Sequence, residues 1–233
     1  MMYYAIAIDG PTGAGKSTIA RELSRKLGCT YIDTGAMYRA VGLYVLRKGI
    51  ASDDPVKIIP LLPSIRISLS HEKDGQHVFL NGEDVSSDIR SPEASIYASN
   101  VSKIPEVREF LLDTQRNMAK HANVVMDGRD IGTVVLPDAD VKIFLTASPE
   151  SRARRRFLEL RQRGGTTEYE SVLKDLLWRD ENDSTRQAAP LKPAEDAVLV
   201  DTTDLDFEES VERVLEIIRE RLGGKIFIRE GDR

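Results

Sequence analysis

The sequence predicts an α/β fold, a parallel sheet with helices on both faces that carries one inserted antiparallel unit, and three observations predict it. Short apolar runs rich in β-formers alternate with stretches of helical apolar spacing. The first of these runs passes directly into a glycine-rich loop and then into a helical pattern. One mid-chain stretch changes to two-residue alternation punctuated by Asp74-Gly75 and Asn81-Gly82.

Taken in order, residues 3–9 form a short apolar run ended by Gly10 and Pro11, as in a strand buried within a parallel sheet. Ile19, Leu23 and Leu27 then recur at helical spacing after Lys16, and Gly28 stops the helix. Residues 30–33 make a second strand, and residues 37–48 a helix ending at Gly49. Ile65, Ile67 and Leu69 alternate with polar neighbours and open an antiparallel meander inside an inserted unit of residues 53–103. Helices with Pro92 and Pro105 in their first turns close that unit. Residues 123–126, 141–145 and 198–201 supply further strands. A last helix lines up Phe207, Val211, Val214, Leu215, Ile218 and Leu222.

Composition narrows the function classes. The 233 residues hold 33 Lys and Arg against 38 Asp and Glu, a formal charge of −5, so no global basic field is present to hold nucleic acid. One cysteine, Cys29, cannot form an intramolecular disulfide, and three scattered histidines lack zinc-ligand spacing. Residues 1–9 are too short for a signal peptide and no apolar run approaches membrane-spanning length, so a soluble, cytoplasmic chain without a membrane partner is expected. A monomer is the default expectation.

Gly10, Pro11, Thr12, Gly13, Ala14, Gly15, Lys16 and Ser17 match G-x-x-x-x-G-K-[ST] between a strand and a helix, the setting in which that pattern works as a phosphate loop. Its glycines let backbone N–H groups converge on phosphate oxygens, and the helix N-terminus adds its dipole. Lys16 reaches the outer phosphates, Ser17 ligates Mg²⁺, and Thr18 continues the contact surface. The expected ligand is Mg-ATP. A plain connecting turn is the bland alternative, and the motif by itself does not choose among GTPases, motors and small-molecule kinases. No Asn-Lys-x-Asp base-reading segment for guanine is present, and neither size nor charge suits a motor. A small acceptor fits better.

Transfer onto an already charged acceptor requires cations on separate elements that close over both groups. Six arginines fall between Arg152 and Arg163, after Ser148-Pro149, an N-cap and N1 pair. Arg152, Arg155 and Arg156 share one helical face. A basic helix is often just a solvated face. This one directly follows a sheet strand and precedes Arg161-Gln-Arg-Gly-Gly165 and a second helix, the arrangement of a lid that brings arginines onto ATP phosphates and excludes water. Asp127-Gly-Arg-Asp130 lies at a strand's carboxyl end, where open α/β sheets place ligands. An ordinary polar turn stays open as the alternative for Asp127, whereas function is favoured for Arg129 and Asp130. Arg39, in Asp33-Thr-Gly-Ala-Met-Tyr-Arg39, sits on early helical turns after a strand end and could clamp the acceptor's phosphate.

Together, residues 10–18, Asp33-Thr-Gly-Ala-Met-Tyr-Arg39, Asp127-Gly-Arg-Asp-Ile-Gly132, residues 141–145 and Arg179-Asp-x-x-Asp-x-x-Arg186 resemble the bacterial-type cytidylate kinases over almost the whole chain. The meander resembles that family's inserted nucleotide-binding unit. The resemblance implies ATP and CMP or dCMP as partners and Mg²⁺ as cofactor. It implies that Arg39, Arg129 and Arg186 grip the CMP phosphate, that Asp183 and Arg179 lie near the sugar, and that Ser99, Arg108 and Asp130 read the base. Asp33 and Thr34 complete the acceptor segment, with Thr34 standing where members often have Ser. Cytosine offers an amino donor beside N3 and O2 acceptors, which suits a carboxylate, a hydroxyl and an arginine.

The implied reaction is direct in-line transfer, stabilised by Lys16, Arg129 and the lid arginines. The expected division is a phosphate-loop core of residues 1–33, 104–149 and 187–233, a monophosphate-binding region of residues 34–103, and a lid of residues 150–186. Alternatives are a kinase for another small acceptor, such as UMP, dTMP or shikimate, and a regulatory ATP-binding protein that transfers little. The tail after Gly223 carries no readable role.

Overall fold

A computed structural model describes residues 3–72, 75–162 and 164–223. Asp74 of the expected turn, Arg163 and the tail from residue 224 onward lie outside the described residues. In chain order the labelled elements are β1 (Ala5–Asp9), α1 (Lys16–Leu27), β2 (Thr30–Asp33), α2 (Thr34–Arg47), α3 (Pro55–Ile58), β3 (Ile67–Glu72), β4 (Gly75–Leu80), β5 (Glu83–Asp84), α4 (Pro92–Val101), α5 (Pro105–Ala119), β6 (Val124–Gly128), β7 (Val141–Thr146), α6 (Pro149–Gln162), α7 (Tyr169–Thr185), β8 (Val198–Asp201) and α8 (Phe207–Leu222). The chain forms two compact units, residues 1–31 with 119–233, and residues 32–118.

The first unit is built on a five-stranded sheet of order β2-β6-β1-β7-β8. β1 pairs in parallel with β6 on one side and β7 on the other, and β7 pairs in parallel with β8. Because its neighbours are both later strands, β1 ends at the point where strand order reverses, and the loop after it opens there. Ile6, Ile8, Ile143 and Leu145 from the strands pack with Ile19, Leu23 and Leu27 of α1 and with Val211, Val214, Leu215 and Ile218 of α8. Burying each such aliphatic side chain contributes about 1.5–3 kcal/mol. An Asp206–Glu209 capping box starts α8. Phe207, placed on the apolar face by spacing alone, is 42% exposed, because at the helix's first position it precedes the stretch that meets the sheet. Ser148 caps α6 as expected, its Oγ accepting from the Ser151 amide at 3.2 Å. Among the described residues no helix is long and apolar enough to cross a membrane.

The second unit joins α2, α4 and α5 to the antiparallel meander β3-β4-β5. Its core includes Met37, Val41, Val45, Val78, Leu80, Val101 and Leu111. Helix α2 starts at Thr34, three residues before the expected start, because the Asp33 side chain caps it by accepting from the Ala36 amide at 2.9 Å. Gly42 lets α2 approach α4 closely: a Cβ there would lie 2.9 Å from the Ala98 nitrogen. Ile65 ends a 3₁₀ segment, Ile59–Ser64, rather than joining the meander. That segment and α3 contain Pro55, Pro60 and Pro63, and their sequence carries neither a clean helical nor a clean strand period.

Candidate active site

In the first unit, β1 delivers the phosphate loop. Gly10 has φ +148°, and a Cβ on it would lie 1.9 Å from the Leu145 carbonyl oxygen, so only glycine lets the loop leave the sheet here. Lys16 follows on α1, 5% exposed, and its Nζ donates to the Pro11 carbonyl at 2.7 Å. Burial lowers the Lys16 pKa to about 7, and the Arg129 charge adds to this, while Asp127, Asp183 and Asp9 oppose it. An incoming polyphosphate would restore the full cation.

Ser17 Oγ donates to Asp127 Oδ2 at 2.8 Å, and the Tyr31 hydroxyl donates to Asp127 Oδ1 at 3.0 Å. Asp127, for which the sequence left a plain polar turn open, is buried beside the phosphate loop's serine. Asp9, at the end of β1, accepts from the Ile131 and Gly132 amides at 2.7 Å each. These two bonds tie the phosphate-loop strand to a π-helical turn, Ile131–Val135, directly after Arg129 and Asp130. Burial raises the Asp9 pKa to about 6, against the pull of both amides.

Arg129 Nε donates to Asp183 Oδ2 at 2.7 Å, and its Nη2 donates to Thr12 Oγ1 at 2.9 Å. Arg186 lies 3.4 Å from Asp130 Oδ1 and 4.0 Å from Asp183 Oδ1. Burial alone would raise the Asp183 carboxyl; Arg129, Arg186 and Arg179 outweigh it and hold it below the ordinary value. Arg129, Asp130, Asp183 and Arg186 therefore form one charged cluster, joined to the phosphate loop through Thr12.

The three arginines of one α6 face go to different places. Arg152 is buried, donating from Nη1 to the Thr12 carbonyl at 2.8 Å and to Asp180 Oδ2 at 2.6 Å. Arg155 reaches the Thr202 hydroxyl and the Thr202 and Leu205 carbonyls. Arg156, its side chain 36% exposed, pairs with Glu159 at 2.8 Å. Thr18 lines an open cleft of about 500 Å³ with Arg21, Glu159 and Phe207.

In residues 32–118, Arg39 Nη2 donates to Asp33 Oδ2 at 2.7 Å, and Thr34 is buried at the start of α2. Arg108, on α5, donates from Nη1 to the Ser102 carbonyl at 3.2 Å and lies 5.4 Å from the centroid of the Tyr38 ring. Ser99 is 7% exposed and its Oγ has no hydrogen-bond partner among the described residues. Sequence reading missed Asp9, Asp127, Asp180 and Tyr38. Position at a strand's carboxyl end was the available signal for Asp9 and Asp127; the other two have no local signature.

A Lys-bearing phosphate loop after β1, joined to a cluster of arginines and carboxylates from the end of β6 and from α7, defines a P-loop phosphotransferase. A family model described as cytidylate kinase matches residues 6–220. The chain is 57% identical over 221 residues to a cytidylate kinase of Caldanaerobacter subterraneus subsp. tengcongensis, covering 95% of this chain and 97% of that one. It is 52% identical to a cytidylate kinase of Caldicellulosiruptor saccharolyticus, covering 95% and 98%. The fold is also similar to a solved structure of an uncharacterized protein from Eubacterium ventriosum, with a TM-score of 0.50, 12% identity and coverage of 94% and 99%. This chain belongs to the cytidylate kinase family.

Proposed function

We propose that this chain transfers the γ-phosphoryl group of ATP to CMP, and to dCMP, releasing ADP with CDP or dCDP. A CMP phosphate oxygen attacks the γ-phosphorus in line as the bond to the β,γ-bridging oxygen breaks. No covalent enzyme intermediate forms. The observation that carries this reading is the Arg129 bond to Thr12 at 2.9 Å, which sets an acceptor-side cation against the donor's phosphate loop. A phosphate monoester is largely dianionic at neutral pH, so no strong general base is needed and catalysis rests on positioning and charge.

Lys16 and the loop amides hold the ATP phosphates. Arg39, Arg129 and Arg186 hold the CMP phosphate in the bidentate manner of guanidinium groups, with Asp183 and Arg179 at the sugar. Arg108 donates to the cytosine ring while Ser99 and Asp130 accept from its amine; uracil, with an oxygen there, would meet the Asp130 carboxylate repulsively. Asp33 and Thr34 support this acceptor segment. The lid comprises residues 150–186. Arg152 faces the phosphates, Arg156 exchanges Glu159 for a phosphate oxygen on closure, and Arg155 anchors the lid's base on the Thr202 and Leu205 carbonyls.

The Ser17 hydroxyl and Asp127 carboxylate, 2.8 Å apart, are the hard oxygen donors that Mg²⁺ prefers, so the residues fit the ion. Ser17 and Asp127 would hold it. When bound with ATP, it neutralises phosphate charge.

The test is ADP release from Mg-ATP with CMP, dCMP, UMP, dTMP, AMP or shikimate, against a no-acceptor control. Strong stimulation by CMP and dCMP is expected. Stimulation by another acceptor alone would overturn the base-reading roles, and no stimulation despite ATP binding would overturn transfer itself.

A further inference from the structure

Thr12 has three polar groups, and each is engaged by a different side chain. Its amide donates to Asp180 Oδ1 at 3.1 Å, its carbonyl accepts from Arg152 Nη1 at 2.8 Å, and its hydroxyl accepts from Arg129 Nη2 at 2.9 Å. Asp180 closes the ring, since its other oxygen accepts from Arg152 Nη1 at 2.6 Å. Arg152 is further pinned by its Nε, which donates to the Ala147 carbonyl at 2.8 Å. Three of these bonds draw the phosphate loop, α6 and α7 onto one point.

We propose that Asp180 is a positioning residue for phosphoryl transfer, fixing Thr12 of the phosphate loop and the Arg152 guanidinium as one body. The inference rests on the reading of Arg152 as a lid arginine that faces ATP phosphates. Both Nη1 hydrogens and the Nε hydrogen of Arg152 are spent on protein acceptors, and Nη2 has none among the described residues. A guanidinium is planar, so pinning Nε and Nη1 fixes where the two Nη2 hydrogens aim. The Asp180 carboxylate supplies the charge that makes this clamp strong in a side chain 5% exposed. It also favours the cationic form of Arg129, the acceptor-side partner of the same threonine. Without Asp180, Arg152 keeps two neutral carbonyls, and Thr12 loses its amide acceptor and the link that holds it to α7.

Asp180→Asn tests this with little change in volume. The amide oxygen can still accept from Thr12, but no negative charge meets Arg152. The expected result is a kcat lower by about ten- to a hundredfold, the cost of one charge-assisted hydrogen bond expressed in the transition state. KM for CMP and the unfolding midpoint should move little, and Asp180→Glu should recover part of kcat. In an Arg152→Ala background, Asp180→Asn should slow turnover no further. A wild-type kcat for Asp180→Asn beside a slow Arg152→Ala enzyme would overturn the proposal alone, leaving Asp180 as a strut between α6 and α7. Full multiplication of the two effects would also overturn it. If Arg152→Ala itself turns over normally, the reading of Arg152 fails and the coupling fails with it.

Discussion

Two sets of arginines in this molecule are held in different ways. Arg129, Arg152 and Arg186 lie 2.7, 2.6 and 3.4 Å from carboxylates, those of Asp183, Asp180 and Asp130. Arg108, in residues 32–118, donates to a main-chain carbonyl and lies over the Tyr38 ring. Arg39 belongs to the same 32–118 unit as Arg108 yet follows the first pattern, 2.7 Å from Asp33. Carboxylate partners thus accompany phosphate-assigned arginines in both units. Guanidiniums assigned to phosphate carry internal counter-anions, so they are not a cluster of unscreened like charges, and an incoming phosphate meets donors already oriented. For the guanidinium assigned to a neutral base, an aromatic face and a carbonyl are among the contacts that orient it.

The largest expected effect is removal of Lys16, the phosphate-loop cation on which the charge of Arg129, a member of the phosphate set, acts. Lys16→Ala is expected to lower turnover by on the order of a thousandfold, as for loss of a preorganised donor to developing charge. Its thermal unfolding should be unharmed, because a buried ammonium costs desolvation in the ligand-free protein. Steady-state ADP release and a melting curve measure both, and near-normal turnover would take Lys16 off the transferring group.

The next largest effect concerns stability. Asp9 titrates near 6 in the folded chain, above the unfolded value of about 3.9. A raised folded value means that its contribution is fully present below the unfolded pKa and is lost as pH rises through the folded one. Two pH units correspond to roughly 3 kcal/mol at most. The wild type should therefore show a fall in stability between about pH 4 and 6 that Asp9→Asn lacks, on top of a uniform loss in the variant from its poorer acceptance of two amides. Parallel pH–melting curves for the two proteins would show that Asp9 is ionised throughout.

The outcome for Asp9 bears on what could be read from sequence at all. The phosphate loop was legible because its parts are contiguous and lie between a strand and a helix, so local spacing carries the chemistry. Asp127, Asp9 and Asp180 were not, since their partners Ser17, Ile131 and Thr12 are 110, 122 and 168 residues away in the chain. Arg152, Arg155 and Arg156 show the limit from the other side. Helical spacing put them on one face, but their acceptors lie on the phosphate loop, the Thr202–Leu205 carbonyls and Glu159, which no helical period encodes. The meander and the helices were legible from period and proline placement. The early start of α2 and the π-helical turn were set by one contact of Asp33 and two of Asp9.

A smaller effect sharpens the base side. Arg108→Ala should raise KM for CMP by about ten- to a hundredfold and leave KM for ATP nearly unchanged, the signature of a contact made only to the acceptor. Equal changes in both constants would place Arg108 with the phosphate set and erase the distinction drawn above. Tyr38→Leu, which removes the ring but keeps an apolar neighbour, should give a milder version of the same split, worth about 0.5–1 kcal/mol.

Ser99 gives the smallest effect and the cleanest sign. Its hydroxyl is buried, and in the ligand-free chain no described group satisfies it, so it costs stability unless a ligand completes it. Ser99→Ala should therefore leave the free protein as stable as the wild type or stabilise it by about 1 kcal/mol, while weakening CMP binding by a comparable amount. The two changes have opposite signs, which a packing role would not produce: a serine present only to fill space would, on replacement, move the melting point and CMP affinity together or move neither. Melting curves with and without CMP, read on one pair of proteins, decide between them.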